Sequence, residues 1–496
     1  MKKLKLFLKK NWFLVGVFLI FALSAFFRFY QYEDRWGLAY DQAQFAILAR
    51  YSVETFQLPL LGPFSSGGPF QTGGEWYWLV MLGTIIYPFS LIAPWVFLTF
   101  LTTVSVLLMI ILGKEMVDKK FGLMVGLIMA VSTAQVAQST NLTNQTPIII
   151  FSTLSVIAAL RYLQQKKLRY VFFQSLCIGV ASAIHIQAVA LAPFILFTFI
   201  LGRVPLKIGI MLVFIGLFIP WIPVLIADSQ NNFYNTLSMA TYFSSDQAKV
   251  SYEVLGRRWL TFLGYFIPLS WARITGGSII ISYGIIILLI ITIGKMLVKR
   301  TITREWLVII SSTMAMIAIL RYIRTPLFDS FLIFLHPFIF LLTGIAIQNV
   351  FRYKKVIGIM SLVIILAGSM ILSIKDIWGA TNYTAKRAAS WRGQLIEKYP
   401  TKKFAVYDFL NGTGSISLPL VLFLNEHGKI DDKGLKIGIV IATSGAEFQH
   451  PVISGDKTGY QVLNLDSSKS AELKQSGWVF INPSEIYNST EGWYKK

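Results

Sequence analysis

Charge is what this sequence has least of. Of its 496 residues only 14% are Asp, Glu, Lys or Arg, while 55% are hydrophobic. A soluble chain of this length needs far more polar surface, so the scarcity points to a polytopic membrane protein. Acids are the scarcer sign: 24 stand against 45 basic residues, a net charge of +21. In a soluble protein that excess would suggest nucleic acid. Here the basic residues recur in short runs between apolar segments, the pattern of cytoplasmic loops, and no nucleic-acid partner is expected. The single cysteine, Cys177, lies in an apolar run. It leaves no disulfide framework and no cysteine-based metal site. The four histidines show neither HxxxH nor HExxH spacing, which disfavours zinc hydrolase chemistry. No internal repeat and no low-complexity tract is present.

What is there is a run of membrane helices. Basic connections fall at Lys114 to Lys120, Lys166 to Arg169, Arg203 to Lys207, Lys295 to Arg304 and Arg352 to Lys355. Placing them all inside predicts spans near 12–30, 93–113, 121–138, 147–163, 171–185, 187–202, 208–226, 278–296, 306–323, 331–349 and 356–374. The basic N-terminus, before the apolar stretch from Trp12 to Phe27, reads as a retained first helix with its start in the cytoplasm. Residues 76–90 are apolar enough to span, but doing so would turn every later basic loop outward. They are expected as an interfacial or re-entrant helix on the outer face.

The composition changes after Ile374. Residues 375–496 are polar, with β-like runs at Phe404–Tyr407, Ile437–Ile441, Tyr460–Leu463 and Trp478–Ile481 and a helix at Leu418–Asn425. The predicted fold is therefore a polytopic α-helical membrane protein of about eleven transmembrane helices, residues 1–374, with a small extracytoplasmic α/β domain, residues 375–496. Three outward loops, 31–75, 227–277 and 321–330, are long enough to carry function.

The first of them is the most informative. It reads Leu38-Ala39-Tyr40-Asp41-Gln42-Ala43-Gln44-Phe45, then Leu60-Leu61-Gly62-Pro63, then Gly73-Gly74-Glu75-Trp76-Tyr77-Trp78. An acid, a Gly/Pro-shaped turn and an aromatic cluster follow one another at a membrane surface. In this order they resemble the GT-C superfamily of integral membrane glycosyltransferases, family 39-like, whose relatives include protein O-mannosyltransferases and lipid A aminoarabinose transferases. Gly179–Gln187 with His185, Ile219–Thr236 with Asp228, and Phe331–Phe338 with His336 extend the likeness over most of residues 10–350. Two positions depart from the family's pattern. Gln42 stands where a Glu is common, and Glu75 where the family usually has proline; both weaken a carry-over of metal binding.

The resemblance implies transfer of a sugar, hexosyl or pentosyl, from a polyprenyl-phosphate carrier to an acceptor on the outer face of the cell membrane. Asp41 falls on the catalytic aspartate, as base, and the transfer would be inverting. Physically, a phosphate leaving group needs no protonating acid, so one carboxylate serves where a glycosidase needs two. Positive partners for the donor phosphate would come from Arg257, Arg258, Arg273, Arg321 and Arg324, with His185 and His336. The alternative for the arginines is snorkelling at a helix end, and for the histidines a bond to a neighbouring carbonyl. Gln42, Glu75, Trp76, Tyr77 and Asp228 are the acceptor or sugar candidates; the aromatics could equally anchor at the interface. No cofactor is required. A divalent metal would draw on Asp41, Glu75 and Asp228, a sparse set. Membrane lipids are partners by necessity, and the acceptor is left open among protein, glycolipid and wall polymer. The competing class is a lipid or sugar-lipid flippase, disfavoured because the two halves show no symmetry.

Overall fold

The computed structural model describes residues 2–65, 68–244, 259–321, 329–409, 414–441, 451–455, 460–476 and 478–491. Helices occupy all eleven expected segments. Among the described residues seven are long and apolar enough to cross a membrane, eight if a bent pair counts as one span. The protein is thus a multi-pass membrane protein. The first span is the apolar part of α1 (Lys2–Phe29).

Sequence chemistry explains where the spans are interrupted. The expected single helix 121–138 is instead two, α5 (Lys119–Val131) and α6 (Thr133–Ser139), bent by 58°. Ser132 breaks the run and caps α6, its hydroxyl accepting from Gln135 N. The carbonyls freed by the bend are satisfied inside the protein, Ala130 O by Arg28 and Val131 O by Ser373, as a lipid environment requires. The segment near 208–226 is likewise helix Leu206–Phe218, a 3₁₀ turn at Ile219–Trp221 and helix Ile222–Ser229, broken where Pro220 and Pro223 withhold backbone donors.

The loop 31–75, expected to face outward, is built and not open. It holds α2 (Tyr40–Thr55) and an antiparallel hairpin, β1 (Leu61–Phe64) with β2 (Gln71–Gly73). Next come α3 (Glu75–Ile86) and the long α4 (Ala93–Met116). At 1.5 Å per residue, the 12 residues of α3 cover about 18 Å, well short of a 30 Å hydrocarbon core. Exposed Leu82, Ile85, Ile86, Tyr87 and Phe89 cluster at its end, which suits a helix dipping into the interface. Helices α7 (Ile148–Gln165) and α8 (Arg169–Ile184) pack as neighbours behind this loop.

The C-terminal part carries a five-stranded mixed sheet in the order β5-β6-β4-β3-β7, formed by β3 (Phe404–Phe409), β4 (Leu435–Ile441), β5 (Val452–Gly455), β6 (Tyr460–Asn464) and β7 (Trp478–Ile481). Parallel β3 and β4 are joined by helix Gly414–Glu426, the crossover such a pair needs. Strand β5 and the helices Tyr383–Lys398 and Pro483–Glu491 are additions to the sequence expectation. The sheet does not stand apart. Trp36, Phe45, Trp76, Tyr77 and Trp95 of the first outward loop and its flanks share one apolar core with Trp391, Phe404, Leu420, Ile437 and Ile486. Polar ties reinforce it: Asn382 Nδ2 donates to Trp36 O, Leu91 N donates to Glu426 Oε1, and Lys386 pairs with Asp34.

Candidate active site

Helix α2 starts without help from its N-cap, since Ala39 has no side-chain acceptor. Asp41 supplies the negative charge that the first turn of a helix favours. Its carboxylate stays exposed, and among the described residues no hydrogen bond or ion pair engages it. Partial burial nonetheless raises its pKa above the usual 3.8.

The hairpin opposite depends on glycine. A Cβ on Gly62 would lie 2.3 Å from Gly73 O, and one on Gly74 would lie 2.1 Å from Pro59 O. These close approaches let β1 and β2 fold over the start of α3 and wall off a cavity of about 310 Å³. Asp41, Gln44 and Phe45 of α2 line it, with Pro63, Gln71 and Thr72 of the hairpin and Tyr77 of α3. Asn144, Gln145 and His185 close the inner side, and Ser489 and Thr490 come from the last helix, Pro483–Glu491. One carboxylate, four side-chain amides, hydroxyls and aromatic rings thus face one space, at the lower end of the 300–1,000 Å³ usual for small-molecule sites.

The expected residues separate on this map. Asp41, Tyr77 and His185 come together in the cavity. His185 is held by Gln145 (3.1 Å) and by Gln187 N on Nδ1 (3.4 Å). Gln42 is directed behind it, its Nε2 donating to Asn141 Oδ1 at 3.0 Å. Trp76 is fully buried against Phe45, in the core and not at the membrane interface. Glu75 is buried beside Gly73, and burial pushes its carboxyl up to about 7.

Asp228 is buried as a structural acceptor: Oδ1 takes Asn235 N, and Oδ2 takes the backbone N–H and hydroxyl of Thr236. His336 is sealed in the helical core against Gln135, away from the cavity. Arg321 is buried over the rings of Trp259 and Phe262, at 5.7 and 6.0 Å, so it does not snorkel. Arg273 is exposed at the end of helix Ile267–Ile274. Arg257, Arg258 and Arg324 lie outside the described residues. Among the described residues no three His, Cys, Asp or Glu side chains gather to hold a metal, so Asp41, Glu75 and Asp228 do not form one group.

Sequence reasoning missed Gln71, Asn144, Gln145, Ser489 and Thr490. The amides carried a signal, since the polar side chains of Asn141–Thr146 come just before the apolar run that starts at Ile148. The two hydroxyls carried none.

No protein-family model matches the sequence, and no curated protein does. The fold is similar to that of ArnT from Cupriavidus metallidurans in the apo state, with a TM-score of 0.65 at 11% identity, over 92% of this chain and 99% of that one. The structure of the same protein bound to undecaprenyl phosphate gives 0.63 at 11% identity, over 90% and 97%. At that identity the similarity speaks for the architecture: the chain shares its overall fold with ArnT from Cupriavidus metallidurans.

Proposed function

We propose that the chain transfers a sugar from a polyprenyl-phosphate carrier to an acceptor at the outer membrane face, with Asp41 as the base. The observation that carries this reading is an unengaged, partly desolvated carboxylate opening onto a cavity lined with amides and hydroxyls. It sits in a fold shared with ArnT, a protein seen with undecaprenyl phosphate. The raised pKa makes Asp41 a stronger base than a solvated aspartate. It would orient or deprotonate the acceptor hydroxyl as that oxygen attacks the anomeric carbon and the C–O bond to the phosphate breaks. The phosphate leaves with the bonding electron pair and needs no acid. Attack opposite the leaving group inverts the anomeric centre.

His185 and the amides of Asn144 and Gln145 are placed to hold the sugar. Arg257, Arg258, Arg273, Arg321 and Arg324 remain the candidates for the phosphate. On this reading the N-terminus is cytoplasmic, and residues 375–496 form an extracytoplasmic domain that walls the cavity above residues 1–374.

The test is direct. Purified protein in lipid is incubated with a panel of labelled polyprenyl-phosphate hexoses and pentoses, and loss of sugar from the carrier is followed. Asp41→Asn should abolish release while thermal unfolding is unchanged. Full activity in that variant would remove the assigned base; no release from any donor would remove the transferase.

A further inference from the structure

Gln71 is the most tightly held polar side chain of the cavity wall. It lies in β2 and is fully buried. Asn235 grips its backbone twice: Oδ1 accepts the Gln71 N–H at 2.7 Å, and Nδ2 donates to the Gln71 carbonyl at 3.2 Å. The Gln71 side-chain Nε2 donates to two carbonyls, Gly62 O at 3.1 Å and Thr490 O at 2.8 Å. Those two acceptors fix the amide's orientation. Turned over, its oxygen would face two carbonyl oxygens and its NH₂ would have no acceptor. The remaining atom, Oε1, is buried without a hydrogen-bond partner among the described residues. A buried acceptor in that state carries an uncompensated desolvation cost. Its residue lines the same cavity as Asp41.

We propose that Gln71 Oε1 accepts a hydrogen bond from a hydroxyl of the sugar held in this cavity, so that Gln71 sets sugar specificity. The inference rests on the transferase reading above. An orphaned acceptor calls for a ligand that brings an O–H or N–H. A sugar ring offers hydroxyls; a lipid tail offers no donor. The carbonyl that orients the amide belongs to the C-terminal helix, 419 positions away in sequence. That helix therefore shapes recognition by holding Gln71.

The test is a cycle between one protein group and one ligand group. The full chain in lipid is given polyprenyl-phosphate-linked hexoses and pentoses and the monodeoxy analogues of each, with sugar release followed. Binding of the matching free methyl glycosides is read by saturation-transfer NMR whether or not turnover occurs. Wild type should disfavour loss of one particular hydroxyl by about 10- to 100-fold. Gln71→Met should erase that one discrimination, and Gln71→Glu, which keeps an acceptor oxygen, should retain part of it. A Gln71 that only ties the hairpin to the last helix would lower activity toward all analogues alike. That uniform loss overturns the inference and leaves the transferase standing. Should Gln71→Met not fold, the wild-type profile decides, because equal tolerance of every monodeoxy analogue rejects the role. With no sugar release and no glycoside binding for any probe, the transferase reading falls and takes this one with it.

Discussion

Replacing Glu75 by glutamine should stabilise the protein at alkaline pH and leave it nearly unchanged at acidic pH. Glu75 is 8% exposed, and its Oε2 has no hydrogen-bond partner among the described residues. Burial moves the carboxyl from 4.5 to about 7, because the ionised form would lose its water without gaining a counter-charge. Between those two values the folded protein keeps a proton that the unfolded chain has released. The folded state then binds more protons, so stability falls as pH rises through this window and levels off above about 7. A rise from 4.5 to about 7, at about 1.4 kcal/mol per pH unit, amounts to about 3 kcal/mol. Glutamine has nearly the same shape and cannot ionise, so the variant lacks this loss. Thermal unfolding of both proteins in one lipid or detergent at pH 5 and pH 8 is the assay. Midpoints should nearly coincide at pH 5, and the variant's should be several degrees higher at pH 8. Equal midpoints at pH 8, or one gap of the same size at both pH values, would refute the reasoning.

Further outcomes follow from the same geometry. If Asp41 is the base, kcat/KM should fall as pH drops through a value above the ordinary 3.8, since only the ionised form accepts a proton; a flat profile down to pH 4 would contradict this. Gly74→Ala puts a methyl 2.1 Å from the Pro59 carbonyl and should cost about 1–3 kcal/mol. Gly393→Ala, in a helix with nothing within 4 Å of the added carbon, should instead stabilise by about 0.5–1 kcal/mol, so paired unfolding measurements separate packing from propensity. Asp228→Ala removes the acceptor of two backbone amides and a hydroxyl. It should lower stability by about 2 kcal/mol, with Asp228→Asn in between.

The helices were readable because a membrane imposes one rule on every residue of a span: long apolar runs, with charge expelled to the ends. The place of Asp41 on the cavity wall had a local sign too, as an acid followed by a Gly/Pro turn. The break at Ser132 had a local signature as well. Ser132 precedes Gln135 by three positions, the spacing at which a hydroxyl caps a new helix, but the surrounding apolar run outweighed it. What lay beyond local reading was pairing at long range. Gln71 with Thr490, and Trp36 with Asn382, depend on a C-terminal sheet folding back onto the first outward loop. Arg273 and Arg321 show a second limit of local reading. Position at the end of a helix does not determine whether a side chain is exposed, as at Arg273, or stacked in the interior, as at Arg321.

The number of carboxylates separates transfer from hydrolysis. A glycosidase sets two of them across the scissile bond, about 5–10 Å apart, because the departing sugar or alcohol oxygen must be protonated while the second carboxylate activates water or attacks the anomeric carbon. Among the described residues lining the cavity, Asp41 is the one acid. The other candidates are committed elsewhere. Asp228 caps a helix, and Glu75 is sealed behind the hairpin. Asp408 sits at the end of β3, where it accepts a hydrogen bond from Ser417 and burial raises it to about 6. Burial raises the Tyr40 phenol, and Asp408 and Asp41 both add to the rise, yet Asp408 does not line the cavity. A single carboxylate facing amides and hydroxyls suits a substrate whose leaving group departs already charged, and a sugar on a phosphate carrier is such a substrate. The same arrangement predicts what the protein should fail to do: with no second acid among the described residues lining the cavity to protonate an alkoxide, aryl and alkyl glycosides should not be cleaved, and their cleavage by the purified chain would require a second carboxylate in the cavity.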